Sequence, residues 1–198
     1  MTSSRRDKLI DTALALFDRK GYHATGIDRI LAEAGVAKMT LYKHFGSKDE
    51  LILAALRRRD ARWRQWFKEA VESRAEAPRE RLLAVFDALE EWLAGPDFHG
   101  CMFVKAASEY CAHDDPIHAA AAEHHRHVLS DLRELAAAAG AARPAKLARE
   151  LMLLIEGAIV VTQVNGPVGA AKQARKAAQI LIDDALAPTA AQPPAGCA

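Results

Sequence analysis

The sequence predicts an all-α protein: an N-terminal three-helix unit with a helix-turn-helix, followed by a larger helical bundle, about nine helices in all. Three observations predict it. Ala, Leu, Glu and Arg dominate a chain of 198 residues that is 51% hydrophobic and 27% charged. Apolar residues recur at helical spacing, while the alternation of a half-buried strand is nearly absent. Pro and Gly punctuate the chain at intervals about one helix long.

Ser3 or Ser4 starts the first helix. Its stripe is Leu9, Ala13, Leu16 and Phe17 with Ile10 and Leu14, and Gly21 ends it. Thr25 precedes Ile27, Ile30, Leu31 and Ala34 and is expected to cap the second helix, with Asp28 reaching back. Gly35 ends that helix where a left-handed backbone is wanted. The third begins at Lys38 and turns Leu41 and Phe45 inward, after an inward Val36. Ser47 and Glu50, at capping-box spacing, open a long fourth helix over 48–73, with Arg57, Arg58 and Arg59 midway. Pro78 starts a fifth that stops near Gly95-Pro96, and a sixth spans about Gly100 to Ala112. Pro116 starts a seventh running to 139–142, Pro144 an eighth ending at Asn165-Gly166, and a ninth reaches Leu186. Residues 188–198 are Pro-rich, poor in apolar bulk and expected to be disordered. The expected units are thus 1–50, 51–187 with 48–73 as connector, and the tail.

The net charge of +1 hides an asymmetry. Residues 1–64 carry fourteen Lys and Arg against eight Asp and Glu, a net of +6; residues 65–198 carry thirteen against eighteen, a net of −5. A basic amino-terminal part is the footprint of a surface that meets phosphates. No run approaches about 20 unbroken apolar residues, so no transmembrane span is expected. The first residues lack the apolar core of a signal peptide. Three Cys in neither metal nor disulfide spacing suit a reducing cytoplasm. There is no nucleophile–base motif and no Gly-rich phosphate loop, which argues against an enzyme, and no cofactor is expected.

The second helical pattern of the helix-turn-helix is crowded with cations and polar groups. The N-terminal part of such a helix faces base edges, which nominates Lys38, Met39, Thr40 and Lys43. Lys donates to guanine O6 and N7, while Thr and Met touch a thymine methyl. Thr25, Tyr42, His44 and Lys48 are better placed for phosphate. The segments ALALFDRKGYHATGIDRIL and AEAGVAKMTLYKHFGSKDEL, within Leu9 to Leu51, resemble the DNA-binding domain of the tetracycline-repressor (TetR-type) family of bacterial transcription regulators. In that family the positions matching Thr25, Tyr42, His44 and Lys48 commonly contact the DNA backbone. Gly26 stands where the family commonly has a hydroxyl residue. The resemblance implies a double-stranded DNA operator, a homodimer and control by a small molecule, with no membrane partner.

A single helix-turn-helix reads few base pairs, so a dimer on a pseudo-palindrome is expected. Leu151, Leu154, Ile155, Ala158 and Ile159 on the eighth helix, with Ala178, Leu181 and Ile182 on the ninth, are the candidate interface, with Gly157 allowing close approach. The resemblance points to the same two helices. Effector pockets are apolar with a few polar groups. The candidates are Trp63, Phe67, Trp92, Cys101, Phe103, Glu109, Tyr110, Met152, Glu156 and Gln163. Two alternatives stay open: a redox or electrophile sensor using Cys101, and a regulator with no small ligand. On one straight helix Cys101 and Cys111, ten residues apart and about 280° around, would not face each other, so no bridge between them is expected. His113, His118, His124, His125 and His127 invite a metal, but without matched ligand spacing solvated surface is the stronger reading.

Overall fold

A computed structural model describes residues 4–187, and helix is the only regular structure among them. The nine helices are α1 (Arg5–Lys20), α2 (Ile27–Ala34), α3 (Lys38–His44), α4 (Lys48–Glu72), α5 (Pro78–Ala94), α6 (Met102–Glu109), α7 (Pro116–Ala138), α8 (Pro144–Asn165) and α9 (Ala170–Leu186). The expectation for residues 188–198 lies outside the described residues.

Local chemistry sets most boundaries. Ser4 caps α1 by accepting the Asp7 amide, and Ser47 caps α4 by accepting the Glu50 amide at 3.1 Å. Glu50 reaches back to the Gly46 amide at 2.8 Å, one residue earlier than the usual capping box. Asp115 caps α7, and Pro opens α5, α7 and α8, where the missing N–H costs nothing. Gly35 ends α2 at φ +61°, in the left-handed region expected from the sequence. α2 corrects one expectation: its cap position is Gly26, with no side-chain cap, and Thr25 stands outside the helix. α6 is also shorter than expected. Cys101 is its cap residue and Cys111 lies beyond its end, so the two thiols never share a helix.

α1, α2 and α3 form a head, and α5 to α9 a body. α4 belongs to both, packing on α1 at one end and on α5 and α7 further along. In the head Leu9, Ala13, Leu16, Phe17, Ile30, Leu41, Leu51 and Ile52 are fully buried or nearly so. At about 1.5–3 kcal/mol for each large apolar side chain, this burial is what holds the three short helices. In the body α8 packs on α7 and α9, and α5 on α9. The buried cluster runs without a break from Phe17 through Tyr22 to Met102 and Phe103, so head and body share one core.

Ion pairs add to the α1–α4 contact. Arg58 bonds Asp7 and reaches Asp11 at 3.1 Å, while Arg62 reaches Asp11 at 2.8 Å. Hydrogen bonds from Ser4 and Arg58 hold the Asp7 carboxyl below its ordinary range. The middle of the triple-arginine run therefore serves the fold.

At Gly21 the backbone permits little else. Its φ of +80° with ψ of 174° is nearly closed to residues with a Cβ, and an added Cβ would stand 2.6 Å from Glu109 Oε1. Gly21→Ala is expected to cost about 1–3 kcal/mol in urea unfolding. In a double-mutant cycle with Glu109→Ala, which by itself removes the acceptor of the Tyr22 and His23 amides, the cost of Gly21→Ala should shrink and not vanish, because the collision is relieved and the backbone strain is not.

Candidate nucleic-acid interface

α3 has seven residues, too few for an isolated helix in water. Leu41 and Phe45 plug it into the head, and Val36 packs half-buried before it. With those three facing inward, Lys38, Met39, Tyr42, Lys43 and His44 stand in solvent, and Thr40 is half-buried. Met39 is 79% exposed and Tyr42 45%. Large apolar side chains left in water next to two lysines mark a face built to be covered. The guanidinium of Arg6 lies 5.2 Å over the Phe45 ring, placing beside α3 a cation that sequence reasoning missed.

Two of the nominated phosphate contacts stand elsewhere. Thr25 is fully buried, and its hydroxyl donates to the Gly21 carbonyl at 2.7 Å. It closes the loop between α1 and α2, so its place in the contact set is corrected. Lys48 is half-buried and donates to the Tyr22 carbonyl at 2.7 Å. Burial lowers its pKa from the ordinary value. Part of its donor capacity is spent inside the chain.

The same loop is gripped from the body. Glu109 accepts the Tyr22 amide at 2.9 Å and the His23 amide at 2.6 Å. The Tyr22 hydroxyl donates to the Met102 carbonyl at 2.9 Å, and Lys105 donates to the Asp18 carbonyl at 2.6 Å. His23 stacks on Tyr110, ring centroids 4.9 Å apart, and its Nε2 bonds the Glu109 carbonyl at 3.0 Å. Burial raises the pKa values of both Tyr22 and Asp18. Glu109 and Tyr110 were expected to line a pocket; they tie α6 to the head instead. Tyr22, His23 and Lys105 were missed because nothing local in the sequence marks a seam between distant segments.

The remaining pocket candidates split between two spaces. Trp63, Trp92, Cys101, Phe103, Met152 and Glu156 line an inner chamber of about 20 Å³, room for about one water. Trp63 and Phe67 also line a cleft of about 600 Å³ among α4, α5 and α7, in the range of small-molecule sites. Gln163 faces Gly100, where an added Cβ would meet its carboxamide at 2.5 Å. The Cys101 thiol is buried, and that burial pushes its pKa up to about 11, so at neutral pH it is the unreactive thiol. Burial likewise raises Glu156.

The histidines are engaged within the chain. His118 donates to the Tyr110 carbonyl at 2.8 Å and pairs with His113 at 2.9 Å. His124 donates from Nδ1 to Asp60 at 2.6 Å and stacks on Phe103 with centroids 3.7 Å apart. His127 approaches the other Asp60 oxygen at 3.4 Å, and His125 lies 3.7 Å from Glu156. Burial outweighs the Asp60 carboxylate and lowers the His124 pKa to about 4.

Six of the eight candidate dimer residues need correction. Leu151, Ile155, Ala158, Ile159, Ala178 and Ile182 are buried within the chain, and Leu154 and Leu181 are half-buried. A side chain already enclosed has little surface to give a partner. α8 carries a second apolar stripe instead. Leu153, Val160 and Val164 are exposed, at 74%, 45% and 74%, on the face about 180° from the buried one. Gly157 lies on this outer stripe with nothing near it, and Ile180 of α9 is 72% exposed. The run LMLLIEGAIVVTQV, apolar all round, was the sequence signal for two covered faces.

Comparison with known proteins follows this geometry. Residues 9–55 match the family model "Bacterial regulatory proteins, tetR family", and residues 78–178 match "Tetracyclin repressor-like, C-terminal domain". The transcriptional activator FasR of Mycolicibacterium smegmatis is 38% identical over 89 residues, 45% of this chain and 40% of that protein. The transcriptional regulator LmrA of Bacillus subtilis is 27% identical over 161 residues, 79% of this chain and 85% of that protein. The crystal structure of a TetR-family transcriptional regulator from Streptomyces coelicolor superposes with a TM-score of 0.83 at 31% identity, covering 92% of this chain and 96% of that one.

His124 gives the body a pH dependence that is expected to be measurable. Its folded pKa of about 4 lies below the ordinary 6.5. As pH falls from 6.5 the unfolded chain takes up a proton that the folded chain refuses, so stability is lost on acidification. His124→Asn keeps an N–H for Asp60 and cannot titrate. In urea unfolding at pH 6.5 and pH 5, the wild type should lose about 2 kcal/mol more than this variant. Asp18 and Glu156 titrate in both proteins and cancel in the difference.

Proposed function

The chain belongs to the tetR family of bacterial regulatory proteins, and from that premise we propose that it is a homodimeric, cytoplasmic repressor of transcription. In this reading α3 enters the major groove of each half of a pseudo-palindromic operator, and a small molecule entering the body releases the DNA. The DNA-binding unit is residues 1–50, and residues 51–187 bind the effector and the second copy. The matched relatives are transcription regulators, so this chain is a regulator and not an enzyme.

One observation carries the proposal: the outward face of α3, with Lys38 and Lys43 flanking an exposed Met39 and Tyr42. Lys38, Met39, Thr40 and Lys43 are assigned to base edges, and Tyr42 and His44 to phosphate. Lys48 both positions the Tyr22 loop and offers its remaining N–H groups to phosphate. The outer stripe of α8 supports the second copy, since it leaves contiguous apolar surface that a monomer would expose to water. The cleft among α4, α5 and α7 supports an effector, being large enough and walled by aromatics. The thiol-sensing alternative has the buried, protonated Cys101 against it.

Fluorescence anisotropy with DNA from upstream of the chain's own gene tests the reading. Affinity should fall steeply as salt rises. Lys43→Ala should lose about 1–3 kcal/mol on the preferred site and change the sequence preference. Equal loss on every sequence would remove Lys43 from the base-reading set, and no binding at low salt would overturn the function. Leu153→Glu with Val164→Glu should leave a monomer of 21.6 kDa in light scattering. Its operator affinity should fall roughly a hundredfold once the two heads are unlinked.

A further inference from the structure

We infer that the cleft among α4, α5 and α7 takes a flat aromatic molecule bearing one anionic head group, with Arg81 as its counter-ion. This rests on the effector reading above and names the chemical class of the ligand. The cleft holds about 600 Å³. Trp63 and Phe67 stand in its α4 wall, stacked with centroids 4.6 Å apart and planes 13° from parallel. Val85 and Leu132 face them from α5 and α7. Parallel rings and branched aliphatics suit a planar apolar body.

The charges decide the head group. Asp131 is neutralised by Arg64, which donates to it from Nε at 3.2 Å and from Nη2 at 3.1 Å. Lys68 lies 4.0 Å from Glu72. Arg81 is different. Its Nε donates to the Ala75 carbonyl at 3.0 Å, and among the described residues no carboxylate lies within ion-pair distance of it. A half-buried guanidinium with no carboxylate partner in the wall of a cleft is a demand for acceptor oxygens. Glu134 is the carboxylate in the lining without an ion pair; it is exposed, where water screens it. A carboxylate or sulfonate on an aromatic ring meets the demand, and an aromatic cation does not.

Two dyes that share a ring system test this on the full chain. 8-Anilinonaphthalene-1-sulfonate carries the anion, and N-phenyl-1-naphthylamine lacks it. By fluorescence titration the wild type should bind the sulfonate about tenfold more tightly, at one dye per chain. Arg81→Gln should cancel that preference while leaving the neutral dye unchanged, and Arg81→Lys should keep most of it. Leu135→Trp, a half-buried lining position of the cleft, should abolish both. Equal binding of the two dyes by the wild type overturns the inference, as does a preference that survives Arg81→Gln. Sulfonate binding that survives Leu135→Trp places the dye elsewhere and overturns it too. Should Arg81→Gln fail to fold, the comparison of wild type with Arg81→Lys and Leu135→Trp still decides. No DNA enters these titrations, so their failure removes the ligand class alone, whereas a chain that prefers the sulfonate and ignores every operator fails as a regulator.

Discussion

A seven-residue helix cannot position itself, and the orientation of α3 depends on how the loop from Gly21 to Thr25 is held. That loop is fixed from three sides. Glu109 takes two of its amides, Lys48 takes the Tyr22 carbonyl, and Thr25 turns its hydroxyl onto Gly21. The Tyr22 ring is fully buried between Phe17 and the start of α6, where its hydroxyl meets the Met102 carbonyl. Buried polar groups satisfied on every side define one arrangement, because any other leaves donors without acceptors. Head and body are therefore not two beads on a string; α3 takes its bearing from α6.

α4 is the second link. It forms the aromatic wall of the cleft with Trp63 and Phe67, and just N-terminal to them it grips α1 through Arg58 and Arg62. A shift of α4 against α5 and α7 reaches α1 through stiff packing, since protein interiors are dense and do not absorb displacement. Under the proposed reading the coupling is reciprocal: an effector that fills the cleft more tightly in one arrangement is itself held more tightly when the DNA favours that arrangement.

The inner chamber shows how polar groups are kept quiet in such a body. His124 is stacked on Phe103 and anchored by Asp60, and stays neutral. The Cys101 thiol keeps its proton for the same reason, being removed from water by more than Arg59 and nearby backbone amides offset. Residue types that look reactive in a list are, here, part of the packing.

Helix positions were legible in the amino-acid sequence, because caps, prolines and apolar spacing are local: Ser4, Ser47, Pro78, Pro116 and Pro144 each act within one turn. The outward face of α3 was legible too, once Leu41 and Phe45 were turned inward. Pairing at a distance was not. Glu109 serves residues 86 and 87 positions away, since an acidic side chain can meet any amide that the fold brings to it. The two apolar faces of α8 were confused for the same reason. Spacing says which residues share a stripe, and only the packed neighbours α7 and α9 decide which stripe is already covered.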